Sequence, residues 1–137
     1  MPNPFRIVCA LALASLVAAA SATAQSPGGN PAAAKMKNPV ATSAASVTAG
    51  AAAYKKYCAF CHGAAAKGDG PLAPKGSAPA DLTDAKWSHG GTDGEIYVAI
   101  QDGLGATSPM KGFKGKMPDQ DVWNIVNYLR SLAAKKS

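Results

Sequence analysis

Cys58-Ala59-Phe60-Cys61-His62 governs the reading of this 137-residue chain. Two thiols three residues apart, followed at once by an imidazole, make the C-x-x-C-H pattern that attaches a c-type haem. The thiols can bond to the two vinyl groups along one side of a porphyrin, and the imidazole nitrogen can then reach the iron. Covalent attachment lets a small domain hold the group without a deep all-protein pocket. Zinc would need four ligands, and the chain has no second cysteine pair. A thioredoxin-like dithiol would want a βαβ setting, which the flanking sequence lacks.

Upstream, Arg6 begins a short basic region, and residues 7–20 form an apolar run broken only by Ser15. That run is too short for a comfortable membrane span. Ala22-Thr23-Ala24 reads as a small-x-small cleavage site. Residues 1–24 are therefore expected to be a signal peptide cut before Gln25, with an uncleaved anchor as the alternative. Cys9 lies inside the run and leaves with it. The two remaining cysteines both belong to the motif, so no structural disulfide is expected.

Residues 25–46 are rich in Ala, Pro, Gly and Ser, and Met36 and Val40 are their only large apolar side chains. Such a stretch buries too little surface to offset chain entropy and is expected to be a flexible linker. The folded unit is expected at residues 47–134, with residues 135–137 a basic tail. That length is short for an independent core, and a covalently bound haem would supply part of the interior. The motif occurs once, so one haem and one domain are expected.

The domain reads as helical. Thr48 or Ser46 can cap a first helix running to about Phe60, with a costly Gly50 inside it. That glycine points to a close contact, with Gly50 and Tyr54 expected to meet Ile125 and Tyr128. Residues 63–80 form a Gly-, Pro- and Lys-rich loop with a Gly68-Asp69-Gly70-Pro71 turn. Thr92 caps a middle helix with Glu95 in the capping-box position, and Gly103 or Gly105 ends it. A Gly-rich loop follows to Met117. Pro118 and Asp119 open a last helix with Val122, Ile125, Val126 and Leu129 as its apolar stripe.

Taken in order, these segments resemble a class I c-type cytochrome domain over about residues 48–132. The residues that carry the likeness are Cys58-Ala-Phe-Cys-His-Gly, Lys67-Gly-Asp-Gly-Pro71, Pro79-Ala-Asp-Leu-Thr-Asp84, Met110-Lys-Gly-Phe113 and Asp121-Val-Trp-Asn-Ile-Val-Asn-Tyr-Leu-Arg130. Four-helix c-type cytochromes place the haem motif near the C-terminus, unlike this chain. The resemblance implies an all-α fold of three to five helices around one haem c, attached through Cys58 and Cys61. It makes His62 the proximal ligand and a late methionine the sixth. Met110 has loop on both sides and stands thirteen residues before Trp123, near the family's spacing. Met117 precedes the last helix, where an apolar staple is the ordinary role. Met110 is therefore preferred over Met117, although Lys111 replaces the proline often found after the ligand. His89, in a Gly-rich turn, reads as a surface histidine, with a bis-His haem as the alternative.

By the same resemblance, a proline carbonyl accepts from the second nitrogen of His62; Pro79 fits best and Pro71 is the alternative. Leu82 is implied to pack on the haem face. Trp87 is read either as a donor to a haem propionate or as a core aromatic with a wet edge.

The chain carries +6, and loss of Arg6 leaves 13 basic against 8 acidic side chains, a balance of +5. Lys111, Lys114 and Lys116 flank the expected ligand loop. A positive ring there would steer the domain to periplasmic redox proteins with acidic docking faces. Basic residues are scattered without aromatic interleaving, which argues against nucleic acid. No Ser/His/Asp arrangement, paired-carboxylate site or phosphate loop argues for catalysis. The expected function is a monomeric periplasmic one-electron carrier. The alternatives are a haem-based sensor or peroxide-handling site with an open sixth position, and a cytochrome subunit docked permanently on a respiratory or dehydrogenase complex.

Overall fold

The computed structural model describes residues 29–76 and 78–134. The signal-peptide expectation, Cys9 and the basic tail lie outside them. Among the described residues the protein is all-helical: a 3-10 turn at Ala33–Lys35, then α1 (Ala44–Tyr57), α2 (Ala59–His62), α3 (Asp93–Asp102) and α4 (Asp119–Ala134). β pairing among them is confined to one bridge between Gly103 and Lys111.

The frame is the crossing of α1 with α4. Gly50 explains how close it is: a Cβ there would lie 2.0 Å from the Asn124 carbonyl oxygen and 2.9 Å from the Tyr128 Cβ. The cost of a glycine in a helix is offset by this approach of two backbones. The Tyr54 and Tyr128 rings meet at 5.3 Å beside it. Tyr128 stands among the nearest neighbours of Gly50 as expected, with the Asn124 carbonyl nearer still, and Ile125 shares the core cluster with Tyr54. The α4 stripe is as the periodicity predicts, with Val122, Trp123, Ile125, Val126 and Leu129 all buried. Each of the aliphatic ones contributes about 2 kcal/mol on removal from water.

Helix α1 starts earlier than expected. Its N-cap is Ser43, in extended backbone, whose side chain accepts from the Ser46 N–H. Ser46 is used elsewhere: its hydroxyl donates to Asn124 Oδ1 at 2.8 Å and accepts from Asn127 Nδ2 at 2.8 Å. Thr48 is exposed. Helix α3 follows its capping box as read, with Thr92 and Glu95 bonded reciprocally, and Gly103 ends it at φ 76°.

Residues 30–42, expected within the flexible linker, are packed on the domain. Ala33 is buried, and its carbonyl sits against Gly94 where no Cβ intervenes. The Asn30 N–H donates to Glu95 Oε1 at 3.0 Å. Asn38 Nδ2 donates to Asn127 Oδ1 at 2.9 Å, and Asn127 Nδ2 donates to the Val40 carbonyl at 3.1 Å. The attachment is mostly polar, so a count of large apolar residues misses it.

Candidate functional site

The motif occupies the end of the first helical arm. α1 stops at Tyr57, Cys58 takes φ −112°, and α2 runs on to His62. A short helix ends with carbonyls that lack intrahelical partners. Here the following loop supplies donors to three of them. Gly68 N–H bonds the His62 carbonyl at 2.8 Å, Gly70 N–H the Cys61 carbonyl at 3.1 Å, and Leu72 N–H the Phe60 carbonyl at 2.8 Å. Gly63 turns the chain at φ 81°, and the buried Tyr54 hydroxyl donates to its carbonyl at 2.8 Å. The motif is thus held from the loop side and from α1.

Cys58, Cys61 and His62 line one large cavity of about 610 Å³, together with Leu82, Trp87 and Met110. That volume lies in the range of roughly 300–1,000 Å³ usual for cofactor sites. Both cysteines are free thiols. Burial, and then the neighbouring Cys61, push the Cys58 thiol up to about 12. Burial lowers the His62 pKa, while the hydrogen bond to the Ala80 carbonyl opposes this. Burial thus favours the neutral ring, the form that a metal ligand takes.

The carbonyl facing His62 Nδ1 belongs to Ala80, at 3.4 Å, and not to Pro79 or Pro71. Pro79 does line the cavity, but its carbonyl points at Gly68, where a Cβ would be 2.0 Å from the oxygen. The next carbonyl along is left for the imidazole. The segment is anchored again by Leu82 N–H to the Ala66 carbonyl at 2.8 Å, which seats Leu82 at the cavity wall.

The opposing loop is tied to the end of α3. Phe113 N–H bonds the Ile100 carbonyl and Lys114 N–H the Gln101 carbonyl, both at 3.0 Å. Leu104 N–H bonds the Met110 carbonyl at 3.1 Å, and Met110 N–H bonds Ser108 Oγ at 3.2 Å. Met110 is half-buried and lines the cavity. Met117 is 4% exposed and packs in the core cluster.

Trp87 lies in the cavity wall with the Arg130 guanidinium 5.9 Å from its ring. Arg130 also pairs with Asp93 at 2.8 Å, so α4 braces the loop that carries Trp87. His89 is exposed and borders the same cavity. Among the expected lysines, Lys111 and Lys116 border the cavity, Lys114 lies by Asp102 and Asp119, and Lys111 Nζ donates to the Ala106 carbonyl at 2.8 Å. Sequence reasoning missed Ala80 and the hydroxyl of Tyr54. Neither has a chemical signature, because one acts through its backbone and the other through a turn nine residues away.

Two thiols, an imidazole and a thioether around one largely apolar cavity form a donor set that fits a covalently held haem. The fit is chemical: soft sulfur and imidazole at the metal, and apolar walls for the macrocycle.

Comparison with known proteins points the same way. The family model described as cytochrome c oxidase, cbb3-type, subunit III matches residues 45–129. The cbb3-type cytochrome c oxidase subunit CcoP of Rubrivivax gelatinosus is 38% identical over 81 residues, covering 58% of this chain and 24% of the relative. The chain thus spans about a quarter of that relative's length. Among solved structures, the Kuenenia stuttgartiensis reducing HAO-like protein complex superposes with a TM-score of 0.61 at 27% identity, over 71% of this chain and 49% of the other. Cytochrome CL from Methylophaga aminisulfidivorans MPT superposes with a TM-score of 0.53 at 24% identity, over 66% and 55%, a likeness of fold.

Proposed function

The chain belongs to the cbb3-type cytochrome c oxidase subunit III family of class I c-type cytochrome domains, and on that premise we propose that it is a periplasmic one-electron carrier. In this reading Cys58 and Cys61 hold one haem c covalently, His62 is its proximal ligand and Met110 its sixth. Export is by the N-terminal signal peptide, and no described helix is long and apolar enough to cross a membrane.

The observation that carries the reading is the placement of the two methionines. Met110 shares the cavity with both thiols and His62, whereas Met117 is spent in the core. Haem c held there by Cys58 and Cys61, with His62 and Met110 as its ligands, would supply Fe(III)/Fe(II) cycling. The chain's own residues do the rest. Burial favours the neutral form of the His62 imidazole, and the Ala80 carbonyl orients the ring. Leu82 and Ile100 wall the cavity against water. Trp87, braced by Arg130, offers an indole donor to a propionate. A thioether ligand and an apolar shell both favour the less charged ferrous state, so the midpoint potential is expected to be positive. Lys111, Lys114 and Lys116 steer partners with acidic faces.

A second reading has a specific finding behind it: CcoP and the HAO-like protein both belong to complexes. A domain of the same chemistry could serve as a subunit bound to a respiratory complex. Size measurement of the native, haem-loaded protein in mild detergent distinguishes the two, since a carrier runs alone and a subunit co-migrates.

The ligand assignment is tested by near-infrared spectroscopy of the ferric protein. The weak sulfur-to-iron band is expected in wild type and in Met117→Leu, and lost in Met110→Ala. A high-spin ferric wild type would replace the carrier with the sensor or peroxide-handling alternative.

A further inference from the structure

We propose that Lys111 is a positioning residue for Met110: its ammonium ties the tip of the loop over residues 104–110 back to the chain beside the sixth ligand, and so limits how often that thioether leaves the iron. The proposal rests on the reading of Met110 as that ligand.

The base of this loop is zipped by backbone. The Phe113 and Lys114 N–H groups reach carbonyls of α3, Gly103 bridges Lys111, and Leu104 N–H donates to the Met110 carbonyl at 3.1 Å. A Cβ on Gly103 would lie 2.6 Å from the Gly112 nitrogen, so the two arms touch there. The tip is held differently. Gly105 takes φ 97° with nothing within 4 Å of a Cβ, and Pro109 has no N–H to offer. Gly105, Ala106, Thr107 and Pro109 are exposed. The turn bond across the tip, from Ser108 N–H to the Gly105 carbonyl, is long at 3.3 Å. A glycine-bearing loop of this kind gives up much conformational entropy on ordering, and the tip has few packing contacts to offset it.

Two side chains act on that tip. Ser108 Oγ accepts the Met110 N–H at 3.2 Å, which couples the tip to the ligand residue. Lys111 Nζ donates to the Ala106 carbonyl at 2.8 Å. A surface lysine ordinarily keeps its ammonium in water; this one folds back five positions along its own loop. The bond is charge-assisted, the stronger kind. It is also exposed, and holding a lysine in one geometry costs side-chain entropy. The tie is therefore worth a few-fold in a rate rather than orders of magnitude. Moving the tip away from residue 111, as Met110 swings out of the cavity, breaks this bond. Lys111 thus does more than add a charge to the rim.

The test uses the ferric, haem-loaded protein as wild type, Lys111→Ala, Lys111→Arg and, as a control for lost charge, Lys35→Ala on the 3-10 turn. Each is mixed with excess imidazole at about pH 8, where that probe is neutral. Imidazole takes the sixth position only after the thioether leaves, so at saturation the rate reports the detachment itself. The expected result is a roughly fivefold faster limiting rate for Lys111→Ala, which corresponds to about 1 kcal/mol. Lys111→Arg and Lys35→Ala keep the wild-type rate. Amide exchange at Leu104, whose N–H holds the Met110 carbonyl, speeds up in Lys111→Ala, whereas the midpoint of chemical denaturation is unchanged. A wild-type imidazole rate in Lys111→Ala would overturn the proposal. So would an acceleration in Lys111→Arg as large as in Lys111→Ala, because arginine keeps a charged donor. A denaturation midpoint that falls in step with the rate would also overturn it, by making Lys111 a general stabiliser. A wild type that takes up imidazole without a limiting rate and lacks the sulfur-to-iron band would instead remove Met110 as the ligand, and the proposal with it.

Discussion

The α1–α4 crossing and the loop walls of the cavity are built on different principles. The crossing closes on itself: Gly50 lets two backbones touch, two tyrosine rings pack beside it, and an apolar stripe fills the rest. The loop walls have no such interior. Residues 63–76, 78–91 and 104–116 hang from helix ends by hydrogen bonds to carbonyls of α2 and α3, and Leu82, Trp87, Leu104, Met110 and Phe113 among them line a cavity. The crossing is packed by protein contacts, whereas the loops border the space a cofactor would fill. Perturbing each side in turn tests that division.

The largest expected effect follows from removing both thiols. The double variant Cys58→Ser with Cys61→Ser should lose covalent haem completely, seen as no haem absorbance on the denatured band. Amides of the two loops should exchange on the order of 100-fold faster, while those at the centre of α1 and α4 remain the slowest. Uniform loss of protection across loops and helices would erase the distinction drawn here.

Next comes the crossing itself. Gly50→Ala drives a Cβ into the Asn124 carbonyl and should cost about 3 kcal/mol in chemical denaturation, through overpacking against backbone. Gly105→Ala, at φ 97° with nothing within 4 Å of its Cβ, should cost about 1 kcal/mol from left-handed strain alone. Equal costs would mean the helices can slide apart.

Tyr54→Phe sharpens the comparison, because this hydroxyl reaches from the frame to the motif turn. Burial foremost raises the Tyr54 pKa well above its ordinary value, so the group is a neutral donor. Its loss leaves the Gly63 carbonyl short of a partner and should cost about 1–2 kcal/mol. The haem band should shift with it if the frame positions the motif.

The smallest effect concerns Glu95. Hydrogen bonds from Thr92, foremost its backbone N–H, hold this carboxyl below its usual range against the opposing cost of burial. A depressed folded pKa means stabilisation that is present above the unfolded value of about 4.3. It is lost as pH falls through the folded pKa. Glu95→Gln should therefore cost about 1 kcal/mol at pH 7 and almost nothing at strongly acid pH. A constant difference across that window would make the charge irrelevant to the cap.

The two regions also differed in how far they could be read in advance. The α3 capping box and the α4 stripe follow from local chemistry and a 3.6-residue period, and both stand where the periodicity places them. The start of α1 did not follow, because the cap is Ser43, upstream of the candidates Ser46 and Thr48, and the Ser46 hydroxyl is taken up by Asn124. The strap at residues 30–42 was invisible to composition, since asparagines and one small alanine attach it. Loop length prefers Met110 to Met117, and in the structure Met110 lines the cavity while Met117 lies in the core.

C-x-x-C-H could be read directly because its chemistry depends on covalent spacing: two thiols and an imidazole within five residues carry their geometry along the chain. Helix type and the apolar faces were equally available, being properties of periods shorter than a segment. The identity of the carbonyl facing His62 and the bracing of Trp87 by Arg130 were not. Each depends on backbone groups or on residues far apart in sequence. A backbone carbonyl is the same at every position, so only the path of the loop over Gly68 could choose Ala80 over Pro79.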